Sequence, residues 1–209
     1  GDENRQKLDI YLPAHTRSDH PLKTVVFFYG GSWDSGSKAD YKFVAEALTS
    51  AGYIVVIPDY RLYPEVVFPA FVDDGARAVT WVLEHINEYG GEAGHVTIAG
   101  HSAGAHIAAL LSLDATYLAK YDHQPTDVTA MIGLAGPYDF LPLQSDRLKQ
   151  IFGPEKQRWR SQPIHFVEGN NPPMLLMVGN KDRTVLPKNS VNLATKIKQK
   201  NGAVELIEF

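Results

Sequence analysis

The sequence predicts an α/β fold, a mostly parallel sheet with helices on both faces and a small cap insertion. Three observations predict it. Short apolar strand patterns alternate with longer helical patterns from one end of the chain to the other. Several strand patterns are continuous apolar runs, the mark of strands buried on both faces. No repeat, low-complexity tract or linker interrupts the 209 residues, so 1–209 reads as one domain. Repeated βα units of this kind imply parallel strands joined across the sheet by helices.

The elements follow in order. Leu8, Ile10 and Leu12 alternate with polar residues, as in a half-exposed strand. Thr24 to Tyr29 is a buried strand, and Tyr41, Val44, Ala45 and Leu48 then recur at helical spacing. Tyr53 to Ile57 is a second buried strand, closed by Pro58. Val72, Ala76, Val79, Leu83 and Ile86 form the stripe of a long helix that Gly90-Gly91 ends. His95 to Ala99 is a strand, followed without pause by a helix from Ala103 to about Leu113. Val128 to Leu134 is another strand. Leu141 to Asn171 shows no clear period and carries Pro142, Pro154 and Pro163, so it reads as a cap over about 141–171. Met174 to Val178 is a strand, Ser190, Val191, Ala194 and Ile197 mark a helix, and Val204 to Phe209 is the last strand.

Composition narrows the function classes. Hydrophobic residues make up 44% and charged residues 21%, which excludes global disorder. A formal net charge of -4 without a basic run disfavours nucleic acid or an anionic membrane as a partner. No apolar run reaches the ~20 residues that span a bilayer. With no cysteine, disulfides, thiolate metal sites and a Cys nucleophile are excluded, while the compartment, cytoplasmic or periplasmic, stays open. The numbering opens on Gly1, and the chain reads as incomplete at both ends.

Three motifs carry chemistry. Gly100-His101-Ser102-Ala103-Gly104 matches G-x-S-x-G, directly after a strand and opening a helix. That context lifts a serine hydroxyl above the sheet at a sharp turn, so Ser102 is the candidate nucleophile. Tyr29-Gly30-Gly31-Ser32-Trp33 follows the first buried strand. Its exposed backbone amides, with that of Ala103, would form an oxyanion hole, against the ordinary reading of a Gly-rich turn. Gly179 to Val185 follows the strand at Met174 and offers Asp182 as the acid, where open α/β sheets place their sites. Its ordinary role would be that of a turn aspartate.

These motifs resemble the α/β-hydrolase superfamily, in its bacterial carboxylesterase/lipase branch related to hormone-sensitive lipase. Tyr29 to Trp33 resembles H-G-G-[GSA]-W, Asp59 to Glu65 resembles D-Y-R-L-A-P-E, and Phe68-Pro69-Ala70 with Asp73 and Asp74 resembles F-P-A followed by acidic residues. The resemblance implies an α/β-hydrolase fold and ester hydrolysis through an acyl-enzyme, without a cofactor. Ser102 would be the nucleophile, Asp182 the acid, and the amides of Gly31, Ser32 and Ala103 the oxyanion donors. Arylformamidase-type amide hydrolysis and a non-catalytic binding protein on the same fold are the alternatives.

Tyr29 stands where the motif has histidine, so altered support of the oxyanion loop is expected. The family's catalytic histidine follows the last strand, and the sequence places it beyond Phe209, within roughly ten residues. Among the eight histidines, His101 should point away from the hydroxyl, and with Trp33 it is assigned to the substrate pocket. His106 should pack under the elbow, and His165 could fold over the pocket. His15, His20, His85, His95 and His123 fall far from the site. Asp59, Asp73 and Asp74 lack further ligands at metal spacing and read as helix-start and loop charges, so no metal is expected. A cap of about thirty residues, with Trp33, Phe140 and Phe166 narrowing the pocket, points to short or compact acyl groups. Oligomeric state stays open.

Overall fold

The computed structural model describes residues 4–14 and 20–209; His15 lies outside them. The strands are β1 (Leu8–Tyr11), β2 (Leu22–Phe28), β3 (Ile54–Pro58), β4 (Gly91–His101), β5 (Ala130–Leu134), β6 (Met174–Val178) and β7 (Val204–Glu208). They form one sheet in the order β1-β3-β2-β4-β5-β6-β7. Only β1 runs antiparallel, paired with β3, and every other pair is parallel. The fold is that of an α/β-hydrolase.

The helices are α1 (Lys42–Ser50), α2 (Ala70–His85), α3 (Ala103–Leu113), α4 (Asp146–Ile151) and α5 (Lys188–Gln199). Burial explains the two kinds of helical pattern. The exposed sides of α1, α2 and α5 leave one apolar stripe, whereas every residue of α3 is buried, so its sequence is apolar all round. The central strands are likewise apolar because both faces are covered: β3 is buried throughout, and β2 from Thr24 onward.

Boundaries differ from the sequence reading in places. Val128 and Thr129 follow a 3-10 turn over Pro125–Asp127, and the ladder of β5 starts only at Ala130. Leu12 lies past the end of β1, 52% exposed. Segment 141–171 holds only α4 and the 3-10 turns Glu155–Ser161 and Pro163–Phe166. Its prolines lack the N–H that a longer helix would need. Among the described residues, no helix is long and apolar enough to cross a membrane.

Strand order fixes where a site can form. From β2 the chain steps one way to β3, then returns past β2 to β4 and continues in that direction to β7. With right-handed crossovers, α1 lies on one face and α2, α3 and α5 on the other. The loops leaving β2 and β4 therefore diverge, and the crevice between the C-terminal ends of these neighbours is the switch point where such sheets bind ligands. The last β2–β4 pair is Phe28 with Gly100, so Gly30 to Trp33 and Ser102 both emerge at that crevice.

Candidate active site

Ser102 is the single residue between β4 and α3. Its backbone sits at φ 52 and ψ -118, a strained conformation for a residue with a side chain. Two glycines let the strand turn so sharply into the helix. A Cβ on Gly100 would lie 2.4 Å from the Gly104 carbonyl carbon, and one on Gly104 would lie 2.1 Å from the Phe28 oxygen. The Ser102 amide donates to Leu134 at 2.9 Å and its carbonyl accepts from His106 at 3.1 Å, so the backbone is pinned on both sides. The hydroxyl does not cap α3 and lines a cavity of about 680 Å³. No described residue hydrogen-bonds it.

The β2 loop packs directly on this serine, for a Cβ on Gly30 would lie 3.2 Å from Ser102 Cβ. Ser32 and Trp33 take positive φ values of 51 and 61, and Gly31 has φ 138. In that conformation the amides of Gly31 and Ser32 donate to no described residue, and neither does that of Ala103 at the first turn of α3. Tyr29 supports the loop from below. Its hydroxyl donates to Asp59 Oδ1 at 2.9 Å and accepts from Arg5 at 3.0 Å, and Asp59 in turn accepts the Lys38 amide at 2.8 Å. Burial, then the Asp59 charge, raises the Tyr29 pKa, so this tyrosine stays a donor to the carboxylate. Tyr41 ties the loop from above, its hydroxyl accepting the Gly30 amide at 3.1 Å.

Asp182 lies in the loop after β6. Its Oδ1 accepts the amides of Thr184 and Val185 at 2.8 and 3.0 Å. Thr184 and Val185 line the same cavity as Ser102. The end of β7 runs beside this loop, with the Asn180 amide donating to the Phe209 carbonyl at 2.7 Å.

The cavity wall includes Trp33, Phe140, Leu141, Leu143 and Leu148, with Arg147 and Lys188 among its polar members. Arg147 is paired with Asp34. His101 does not line it. Side chains alternate along a strand, and the His101 ring turns to Tyr41, Nδ1 lying 3.0 Å from its hydroxyl. Burial lowers the His101 pKa, and the Asp182 charge opposes that shift. Phe166 is also absent from the wall. It stacks on Trp159 and, with His165, lines a separate cavity beside Leu113 and Asp114. That cavity is at the far end of α3, about 16 Å of helix from Ser102.

The acidic residues weighed as a metal set are engaged elsewhere. Asp74 holds Arg61 through both carboxylate oxygens at 2.7 and 2.8 Å, Asp73 pairs with Lys120, and Asp59 serves the β2 loop. His106 is fully buried, and burial lowers its pKa to about 4. Its contacts across the site were not legible in the sequence, although its spacing of four from Ser102 puts it on the same helix face.

Residues 8–197 match the BD-FAE family. The chain is 31% identical over 204 residues to esterase LipC of Mycobacterium tuberculosis, covering 87% of this chain and 49% of LipC. It is 33% identical over 169 residues to a kynurenine formamidase of Danio rerio, covering 80% of this chain and 54% of that protein. The chain thus spans about half the length of these curated relatives. Esterase 2 of Thermogutta terrifontis superimposes in its apo form with a TM-score of 0.82 at 28% identity, over 97% of this chain and 77% of that one. Its butyrate-bound form gives 0.79 at 27% identity, over 97% and 77%. A match across nearly the whole sheet, on a fold with its turn of strain at Ser102, leaves one assignment: the chain belongs to the BD-FAE family, in the branch of the α/β-hydrolases related to hormone-sensitive lipase.

Proposed function

We propose that this chain is the hydrolase core of a serine carboxylesterase that cleaves esters of small or compact acids through an acyl-enzyme. One observation carries the reading. The unbound Ser102 hydroxyl and the undonated amides of Gly31, Ser32 and Ala103 belong to the two loops that emerge at the switch point of the sheet, where Ser32 and Ser102 line one cavity.

Ser102 Oγ attacks the ester carbonyl while a histidine takes its proton. The carbonyl oxygen becomes an oxyanion and rests on the three amides. The tetrahedral intermediate collapses, the alcohol leaves with the proton, and Ser102 keeps the acyl group. Water then repeats the attack and releases the acid. Asp182 orients the imidazole and stabilises it when charged. The base comes from the loop that leaves β7, which starts beside the Asp182 loop at the Asn180–Phe209 hydrogen bond. None of these steps calls for a cofactor.

The esterases among the relatives support the reaction class. The apolar wall of Trp33, Phe140 and Leu143, and a neighbour solved with butyrate, support a compact acyl group. A second reading, formamide hydrolysis on the same machinery, is favoured by the Danio rerio relative. Steady-state kinetics of the full-length protein on p-nitrophenyl acetate, butyrate and palmitate and on N-formylkynurenine test both. The esterase reading expects the highest kcat/KM on acetate or butyrate. Faster turnover of palmitate removes the compact-acyl part, and faster turnover of N-formylkynurenine favours the second reading.

A further inference from the structure

His106 is a buried titratable group that the proposed chemistry does not use. It lies one helical turn past Ser102, with none of its surface exposed. The Trp33 indole nitrogen donates to its Nδ1 at 3.2 Å, and its Nε2 is 2.7 Å from the Ser161 carbonyl oxygen. An indole N–H can only donate and a carbonyl can only accept. The ring is therefore neutral, with its proton on Nε2 and a lone pair on Nδ1. In this tautomer one neutral ring joins a donor on one side to an acceptor on the other.

The ring is also fixed by packing. It meets Trp33, Phe140 and Phe152 edge-on, at centroid distances of 5.1, 5.7 and 5.7 Å. Trp33 is the residue that most needs such a hold. It and Ser32 are consecutive non-glycine residues at positive φ, a conformation that persists only where the surroundings impose it. The Trp33 backbone has one further tie, its carbonyl accepting the Tyr63 amide at 2.9 Å. Ser32 is bonded directly to Trp33, so a shift of the indole moves the Ser32 amide. At its other end His106 grips the segment that carries Phe140, since Gln162 next to Ser161 accepts the Phe140 amide at 2.8 Å.

We propose that His106 is a positioning residue, which by clamping Trp33 holds the Ser32 amide against Ser102 and sets the cap segment in register with it. The role rests on the serine-hydrolase reading above. It acts on the tetrahedral intermediate and the transition states that flank it, because the ground-state ester carries no oxyanion, so its loss should lower kcat rather than raise KM.

The test uses the full-length protein, with active sites counted by exhaustive titration with a fluorophosphonate. His106→Phe keeps a ring and deletes both hydrogen bonds. Trp33→Phe deletes the donor from the other side and serves if His106→Phe does not fold. Removing an oxyanion donor outright costs about 10²–10³ in kcat, so displacing one should cost about tenfold to a hundredfold per titrated site. In His106→Phe, KM for p-nitrophenyl acetate should stay within about threefold, and the double variant should lose no more kcat than the worse single one. Single variants with wild-type kcat per site, or losses that multiply in the double variant, overturn the role. A wild-type protein that neither titrates nor turns over esters overturns the serine-hydrolase reading itself, and this role with it.

Discussion

The Tyr29 hydroxyl donates to Asp59 Oδ1 at 2.9 Å, and the same oxygen accepts the Lys38 amide at 2.8 Å. Both ends of the loop that bears Gly31 and Ser32 are thus tied to one carboxylate. Tyr29→Phe removes one tie and leaves a part-buried carboxylate with fewer donors. It should cost about 1 kcal/mol of stability, or roughly 2–4 °C in Tm, and lower kcat several-fold without changing the preferred substrate. Thermal unfolding and ester kinetics on the variant check this. An unchanged Tm and kcat would mean that the loop is held elsewhere.

Stability should fall in mild acid through His106. Burial holds its pKa near 4, below the ordinary value of 6.5, so the unfolded chain takes up the proton first as pH drops. The contribution is therefore complete above about pH 6.5 and is lost progressively toward pH 4. Between pH 7.5 and 4.5 it amounts to about 2.5 kcal/mol. Urea unfolding at both pH values should show that loss in the wild type and a smaller one in His106→Phe. Equal losses in the two would remove His106 from the acid response.

Asp74 is a stability residue rather than a site residue. Its side chain is 2% exposed and grips Arg61 through both oxygens, and Oδ1 also accepts from Gln6 Nε2 at 2.9 Å. Asp74→Ala removes these charge-assisted bonds to the Arg61 guanidinium and should cost about 3 kcal/mol, or roughly 6–12 °C in Tm. Activity at 20 °C should hold. A Tm within 2 °C of the wild type would show that the pair contributes little.

The fold was legible because the chemistry that makes it is local. Thr24 to Tyr29 and Tyr53 to Ile57 are apolar without a break because both faces of their strands are covered, and they fell within a residue or two of β2 and β3. Ser102 and the β2 loop were legible because a turn that tight demands glycine at fixed spacing, seen at Gly100 and Gly104. His101 was harder. Strand alternation turned its ring away from the hydroxyl, as the sequence implied, but the residue that receives it, Tyr41, lies 60 positions away and its assignment to the pocket did not follow. Phe166 and His165 were placed near the pocket only because their segment has no period, and period is what reports direction. The links from Trp33 to His106 and from Tyr29 to Asp59 join residues 73 and 30 positions apart, a relation that no local pattern encodes.

Asp182→Asn tests the acid while sparing the loop. An asparagine oxygen can still accept the Thr184 and Val185 amides, so Tm should move by less than about 2 °C. The kcat for p-nitrophenyl butyrate should fall by about 10⁴, because the imidazole loses its orientation and its counter-charge. Wild-type kinetics would shift the acid to Asp139, which follows β5 and is now bound to Asn192 at 2.7 Å.

The central claim is that Ser102 is the nucleophile, and covalent labelling tests it most directly. Full-length protein treated with a fluorophosphonate is weighed intact, digested and mapped, beside Ser102→Ala. The account predicts one adduct per chain, on the peptide that carries Ser102, none in the variant, and a loss of up to ~10⁶ in kcat for p-nitrophenyl butyrate. An adduct on another residue, or a Ser102→Ala protein that keeps most of its esterase activity, would contradict it.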